Sequence, residues 1–386
     1  MAQRPSLTSL FLSFFKLGLI AFGGPATVVY IREMAVIRHK WLDEEKFEDG
    51  LTLCQAIPGA TSMQTVAYVG LMARGIIGAL VSFISFGLPS FILMLILSAL
   101  YVKYHSVPRV ISLFNGLQVL VVAIVANATY IFARSTFKNY RGVFLAIAAS
   151  IFFWAGISPF IVILCAAFIG FIFLNDRNVA VFTSAIETKT ENYGFKQLAI
   201  IFLVLFLLLF VLYLVDRKLL NLAILMMRID LFAFGGGFAS VPLMLHEIVA
   251  VRGWMDSKTF MDGIALGEVT PGPILITSTF VGYMLYGLSG AIVATVSTFT
   301  PSFIMVALTV PVLHRLKTSA HFNGATKGIL ASFVGLLFFM SLKFAIAIPW
   351  DIFRTLMLVA VCVALIKKID IFYVVLFSAV ISVLIF

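Results

Sequence analysis

The stretch Phe22-Gly23-Gly24-Pro25, followed further on by Gln55-Ala56-Ile57-Pro58-Gly59-Ala60, occurs twice in this chain. The second copy reads Phe234-Gly235-Gly236-Gly237, then Glu268-Val269-Thr270-Pro271-Gly272-Pro273. Phe22 and Phe234 stand 212 positions apart. Trp41/Trp254, Asp43/Asp256, Phe47/Phe260, Gly50/Gly263 and Pro58/Pro271 match at 213. Gly70/Gly282, Gly78/Gly290 and Pro89/Pro301 return to 212, and Asn115-Gly116/Asn323-Gly324 match at 208. So many matches at nearly one offset, mostly Gly, Pro and Trp, identify a tandem duplication. Both copies break apolar segments with Gly and Pro at the same places.

Composition sets the class around these breaks. The chain has 386 residues, 62% hydrophobic and 11% charged, with mean hydropathy +1.11. Soluble domains carry about 25% charged residues. Apolar runs of about 20 residues, the length that crosses a bilayer core, recur throughout. An all-α polytopic membrane protein in the cell membrane follows, with no stretch long enough for a soluble domain. Residues 1–21 have the basic start and apolar run of a signal peptide. Lys16 interrupts that run and residues 223–239 repeat it internally, so it reads as a mature helix. Cys54, Cys165 and Cys362 are far apart, with no disulfide or metal spacing. The net charge of +10 fits Lys/Arg-rich cytoplasmic loops, and equally an anionic substrate.

Helices are expected at about 7–21 plus 26–39, 43–56 plus 60–73, 75–101, 110–133, 142–155 and 158–174. A polar connector and one plain apolar helix, about 197–215, follow. The second copy gives 221–234 plus 238–250, 256–269 plus 273–283, 285–312, 324–346, 350–366 and 369–386. The organisation is a first repeat over 1–180, a connector and linker helix over 181–218, and a second repeat over 219–386. Counting each interrupted pair as one crossing gives each repeat about six; the alternative is that the interrupted segments re-enter on the side they came from. The linker makes the number odd, so the second repeat enters from the opposite side. Inverted repeats of this kind place a transporter's site at their interface near mid-membrane. Lys and Arg fall mainly on the N-terminal side in this reading, with the charged 30–50 segment on the other.

The breaks are the candidate site. Gly costs about 1 kcal/mol and Pro about 3 kcal/mol inside a helix. In hydrocarbon a broken helix persists only where protein or a water-filled cavity satisfies the freed backbone. Pro58 and Pro271 suit the first turn of a new helix. The amides of Gly59, Ala60 and Thr61, and of Gly272 and the residues after Pro273, would then face the break and favour an anion. Gly23, Gly24, Pro25, Gly235, Gly236 and Gly237 complete this substrate-binding set. The alternative is that Gly and Pro only permit a kink or close packing.

Charged and polar residues cluster near the breaks. Lys16 and Arg228 both stand seven positions before the first glycine, either to bind substrate or to snorkel to the interface. Asp230 does not share a helix face with Arg228 and pairs elsewhere. Glu268 matches Gln55, and a carboxylate beside an anion site is a candidate for proton coupling. Its alternatives are an ion pair with Arg228 or ordinary helix-end pairing. Gln64, Thr61, Ser62, Thr277, Ser278 and Asn127 are further polar candidates, although such residues commonly bond helix backbone. Trp41 and Trp254 read as interfacial anchors, and Asp43 and Asp256 as helix N-caps. Segments 30–50 and 246–262 look amphipathic. The five histidines form no metal or nucleophile motif, and no GxxxxGK[ST] is present, so neither an enzyme nor direct ATP use is indicated.

With these residues in view, the chain resembles the chromate ion transporter family in its two-repeat form. The resemblance rests on Phe22-Gly23-Gly24-Pro25, Trp41-Leu42, Pro58-Gly59, Gln64 and Tyr68-Val69-Gly70. In the second repeat it rests on Phe234-Gly235-Gly236, Gly253-Trp254, Asp262-Gly263, Leu266-Gly267-Glu268, Thr270-Pro271-Gly272-Pro273 and Phe280-Val281-Gly282. It implies export of chromate from the cytoplasm, with sulfate as the related oxyanion. From the residues themselves, a coupling proton or counter-ion is a candidate through Glu268, and no cofactor, metal or nucleic acid is indicated; the partners are the oxyanion, the lipid bilayer and, as a candidate assembly, a second copy in a homodimer. Two departures bear on substrate preference: Ala60 stands where Pro-Gly-Pro is usual, and Gly237 stands opposite Pro25.

Overall fold

The structure, a computed structural model, describes residues 5–21, 25–137, 140–174, 195–310 and 319–385. The first repeat comprises α1 (Leu7–Ile20), α2 (Pro25–Arg32, continued by a π-helical turn Glu33–Arg38), α3 (Glu44–Ala56), α4 (Thr61–Tyr104), α5 (Pro108–Thr136), α6 (Tyr140–Trp154) and α7 (Pro159–Phe173). The linker is α8 (Phe195–Val215). The second repeat comprises α9 (Arg217–Leu231), α10 (Ser240–Met244, continued by a π-helical turn Leu245–Val251), α11 (Ser257–Val269), α12 (Thr277–Thr309), α13 (Ala320–Ala347), α14 (Ile352–Ile366) and α15 (Ile371–Ile385). Short 3-10 turns, Gly237–Ala239 and Ile274–Ile276, precede α10 and α12. Each first-repeat element has a counterpart, down to the π-helical turns. The linker α8 lies against α9 and is otherwise exposed.

The interrupted segments do not cross; they turn back. Tyr68 of α4 donates its hydroxyl to the Lys46 carbonyl at the start of α3, and its ring covers Gly50. Thus α3 runs inward, breaks at Ile57–Ala60, and the first limb of α4 returns. At Arg74–Gly75 the backbone leaves helical geometry, with Gly75 at φ +66°, and α4 reverses again. Gly70 then faces the Gly78 carbonyl and Ser82 of the second limb. Tyr286–Gly287 does the same in α12. The α1–α2 segment also returns, since Phe14 packs on Trp41 with ring centroids 6.0 Å apart. Among the described residues four helices are long and apolar enough to cross a bilayer: α4, α5, α12 with its leading turn, and α13. Of the two expectations for the interrupted segments, six crossings per repeat or re-entry, the contacts follow re-entry. The broken helix ends can lie at mid-depth because neighbouring protein satisfies them.

Inversion follows from the contacts along α4. Its second limb starts at the Arg74 turn, passes Ser90 beside Pro271, and reaches Tyr101 beside Phe280 and Asp262. The first limb of α12 therefore runs the same way as α4. Its Tyr286–Gly287 turn lies on the face opposite Arg74–Gly75. The return of the α1–α2 and α3–α4 hairpins corrects the assignment of segment 30–50: Arg32, Arg38, Lys40 and Lys46 share the face of Arg74. Arg252 and Lys258 pass to the opposite face, so the basic excess on the N-terminal side grows.

The terminal hairpins are exchanged between repeats. The α6–α7 hairpin packs on α13, and α14–α15 packs on α5. Small residues permit the close approach. Gly170 and Ala166 lie against the backbone of Gly324 and Gly328, and Ser382 bonds to the Gly116 amide at 2.9 Å.

Local signals held at the caps. Asp43 and Asp256 accept the Lys46 and Thr259 amides as N-caps, each at 2.9 Å. Trp41, read as an interfacial anchor, is buried between Phe14 and His39. Segments 30–50 and 246–262 are amphipathic, with Ile31, Ala35, Phe47, Ile248 and Phe260 buried and Ile37, His39, Lys40, Val251 and Arg252 exposed. The whole run Phe260–Glu268 of α11 is buried, because it docks beneath α5 and the long limb of α4.

Candidate functional site

The two Pro-Gly breaks meet across the pseudo-two-fold. Gly59 donates its amide to the Ala233 carbonyl at 2.9 Å, and Gly272 donates to the Ala21 carbonyl at 2.7 Å. Ala21 and Ala233 are the residues just before the Phe-Gly-Gly motifs. Each repeat's Pro-Gly break is thus satisfied by the other repeat's first break. Gly59 (φ +119°) and Gly272 (φ +111°) occupy the left-handed region, and a Cβ at either would run into Ser302 or Ser90. Only glycine fits there.

The amides expected to be free are partly committed. Gly59 and Gly272 bond across the interface, and Ala60 donates to Ser302 Oγ at 3.0 Å. Pro58 and Pro271 are not first-turn residues. They sit in the extended breaks, and helix resumes at Thr61 and Ile274. The first bond of α4 runs from the Gln64 amide to the Ala60 carbonyl. The N–H groups of Thr61, Ser62 and Met63 precede it and have no intrahelical acceptor. Gly236 lies beside Thr61, and Gly237 beside Ile274 and Leu275, so this glycine stretch sits between the two helix starts. Pro58, Gly59, Ala60, Pro271, Gly272 and Pro273 are all buried. Gly23 and Gly24 lie outside the described residues. Pro25 begins α2.

Polar side chains converge on the breaks. Gln64 Nε2 donates to the Pro58 carbonyl, while its Oε1 is buried without a partner. Glu268 is buried, and its Oε1 has no hydrogen-bond partner. Its repeat counterpart Gln55 is exposed. Among the described residues no cation pairs with Glu268, so the expected alternative with Arg228 is not formed. Ser278 Oγ is a third unpartnered buried group. Thr277 bonds back to the Ile274 carbonyl. Asn127 is half-buried on α5, and Thr61 and Ser62 are half-buried at the start of α4.

The two cations lie elsewhere. Lys16 is exposed on the flank of α1. Arg228 is also exposed, its guanidinium 3.7 Å from the centroid of the Phe160 ring on the swapped α7. Helical phase explains this. Leu17 and Gly18, and likewise Ile229 and Asp230, face inward, which turns the preceding residue out.

Two buried carboxylates were not placed in the site from the sequence. Asp230 accepts from the Ser302 amide at 2.8 Å and from Ser302 Oγ at 2.8 Å. Its counterpart in the other repeat is Gly18, which lets the Phe86 carbonyl approach α1 closely. Asp262 accepts from Tyr101 at 2.9 Å and from Gln118 at 2.7 Å, both in the first repeat. The Asp262-Gly263 motif was legible, but not that the first repeat would supply both donors.

The comparisons with known proteins agree with this architecture. The chromate transporter family matches residues 8–171 and 220–383, one match per repeat. An uncharacterised transporter of Methanocaldococcus jannaschii is 44% identical over 99% of this chain and 95% of its own length. A chromate transport protein of Cupriavidus metallidurans is 27% identical over 95% of this chain and 89% of its own. One of Pseudomonas aeruginosa is 27% identical over 86% of this chain and 79% of its own. No solved structure matches. With the family matched in both halves and the inverted repeats meeting at their breaks, this multi-pass membrane protein belongs to the chromate transporter family.

Proposed function

We propose that this chain is a secondary transporter that exports chromate, and sulfate-like divalent oxyanions, by alternating access between its two repeats. The observation that carries the proposal is the reciprocal bonding of the breaks, Gly59 to Ala233 and Gly272 to Ala21. It makes the two repeats meet at one buried point, where a small rotation of one against the other would open either side. The oxyanion binds there to the uncommitted amides of Thr61, Ser62 and Met63, to those after Pro273, and to the hydroxyl of Ser278. Helix starts supply positive dipole ends, and hydroxyl and amide N–H groups suit a tetrahedral oxyanion. Glu268 is the proton-coupling group. Ionised, it opposes an anion at the site; protonated, it accepts one. An ion gradient supplies the energy.

A second reading is a transporter or channel for another anion on the same scaffold. It is favoured by two departures at the breaks: Ala60 stands where Pro-Gly-Pro is usual, and Gly237 stands opposite Pro25. Flux of labelled chromate in proteoliposomes, with sulfate as competitor and imposed pH gradients, separates the two. Gradient-driven chromate uptake that sulfate inhibits supports the first. Absence of chromate flux under every gradient, with flux of another anion, supports the second.

A further inference from the structure

The exchanged α6–α7 hairpin carries a furrow, and none of the residues lining it belongs to the breaks. α6 and α7 each pack on α13 more extensively than on one another, so the two helices splay and leave a cleft between them. Its volume is about 890 Å³. Leu145, Ala149, Val162 and Ala166 are buried and make its floor, while Phe144, Phe152 and Phe173 are exposed and make its rims. Water finds no polar partners on such walls, so hydrocarbon fills the space. A helix of 15 residues rises about 22 Å. One leaflet's hydrocarbon is about 15 Å deep, half of the bilayer core, so the furrow takes an acyl chain along that whole depth.

The furrow is polar at one end only. Of the residues that line it, Arg141 alone is charged, and it stands beside Tyr140 at the start of α6. Arg141 Nη1 donates to the Phe173 carbonyl at 3.2 Å, which holds the guanidinium at the end of α7 and so at the same mouth. Among the described residues no carboxylate pairs with Arg141. At the far end, by the α6–α7 turn, the lining runs out at Ile157 with no charge. A cation at the mouth and hydrocarbon beyond it match an amphiphile with an anionic head. The mouth is also on the fitting face. α5 returns to the side of Arg74, so Tyr140 and Phe173 share that face with Arg32, Arg38, Lys40 and Lys46. Basic pockets between helices on such a face receive anionic lipid headgroups, and the guanidinium fork matches a phosphate. The other exchanged hairpin has no counterpart to this cation. Phe353 stands opposite Arg141, and the neighbouring Arg354 is paired with Asp351 at 2.5 Å.

We propose that this furrow is a binding site for an anionic phospholipid, its phosphate held by Arg141 and an acyl chain laid between α6 and α7. The inference is independent of the transport reading. The test is native mass spectrometry of the purified protein with phosphatidylglycerol or phosphatidylcholine of the same acyl chains, beside melting curves in detergent with either lipid added. The variants are Arg141→Gln, which removes the charge, and Ala148→Phe, which fills the furrow. Arg109→Gln, at an exposed cation near the opposite face, is the control. The wild type is expected to retain phosphatidylglycerol about fivefold better than phosphatidylcholine, the preference that one arginine supplies. It is also expected to melt higher with phosphatidylglycerol. Arg141→Gln is expected to retain the two lipids alike and to lose that shift. Ala148→Phe is expected to retain less of both, and Arg109→Gln to match the wild type. Equal retention by the wild type, an undiminished preference in Arg141→Gln, or unchanged retention in Ala148→Phe overturns the proposal. The same loss in Arg109→Gln as in Arg141→Gln also overturns it, since general surface charge would then explain the preference. A dimer that Ala148→Phe disrupts, with no lipid preference in the wild type, assigns the furrow to a second copy instead. If Ala148→Phe does not fold, Arg141→Gln decides alone, because its exposed side chain leaves the core untouched.

Discussion

The amide of Ala60 donates to the hydroxyl of Ser302, 242 positions along the chain, at 3.0 Å. Ser302 in turn donates its hydroxyl to Asp230 at 2.8 Å, so one hydroxyl ties the first repeat's break to a buried carboxylate of the second. The symmetry-related arrangement differs. Pro273 has no N–H to give, Gly18 stands where Asp230 would be, and Ser90 donates instead to the Pro271 carbonyl.

Ala60→Pro isolates this bond. Ala60 has φ −74°, which proline adopts without strain. Removing the N–H is expected to lower stability by about 1 kcal/mol. Asp230→Ala, which strands two donors of Ser302, is expected to cost about 2–3 kcal/mol. Thermal unfolding in detergent measures both, and an Asp230→Ala melting point equal to wild type would falsify the role given to Asp230.

Gly59→Ala and Gly272→Ala each force a methyl into a serine hydroxyl at positive φ. Flux is expected to fall at least about tenfold in either, since overpacking costs about 1–3 kcal/mol and moves the break. Gly253→Ala also has positive φ but meets open space, and is expected to keep most of the flux. Equal losses in all three would show that backbone strain, not the interface, decides.

Glu268→Gln removes what is, among the described residues, the one buried carboxylate oxygen without a partner. Flux in the variant is expected to be independent of pH between about 5 and 8, while the wild type responds to an imposed proton gradient. Identical pH profiles would end the coupling role.

Lys16→Ala is expected to leave flux and melting within experimental error, because Lys16 is exposed on the flank of α1. Exposed charges away from partners contribute little. A tenfold loss of flux would place Lys16 on the substrate path.

Gly328→Leu drives a side chain into the Ala166 carbonyl, and Gly170→Leu does so at Gly324. Each is expected to lower stability by about 3 kcal/mol or more, beyond ordinary overpacking, because backbone rather than side chain must yield. Detergent melting curves measure it.

The duplication, the positions of the breaks and the N-caps at Asp43 and Asp256 were legible because they depend on local chemistry. Pro58-Gly59 and Pro271-Gly272 announce a broken helix wherever they occur. Whether the chain then continues or reverses depends on what satisfies the broken ends, and the Ala21 and Ala233 carbonyls lie far away in sequence. Lys16 and Arg228 were expected at the substrate because a charge in an apolar run is costly; their helical phase sends them outward. The full burial of Asp262 on α11 was hidden for a related reason: only the docking of Tyr101 and Gln118 from the other repeat makes its buried carboxylate tolerable.

The exchange of terminal hairpins bears on biogenesis. When the ribosome has released α5, the hairpin that will cover it, α14–α15, is still unmade. Until then lipid must occupy that groove, and the finished first half cannot reach its final form. The reverse holds for α6–α7, which waits for α13. Neither half is a self-sufficient module, although each descends from the same ancestral unit. A chain carrying only one unit could complete this architecture by lending its hairpin to a sibling and borrowing one in return.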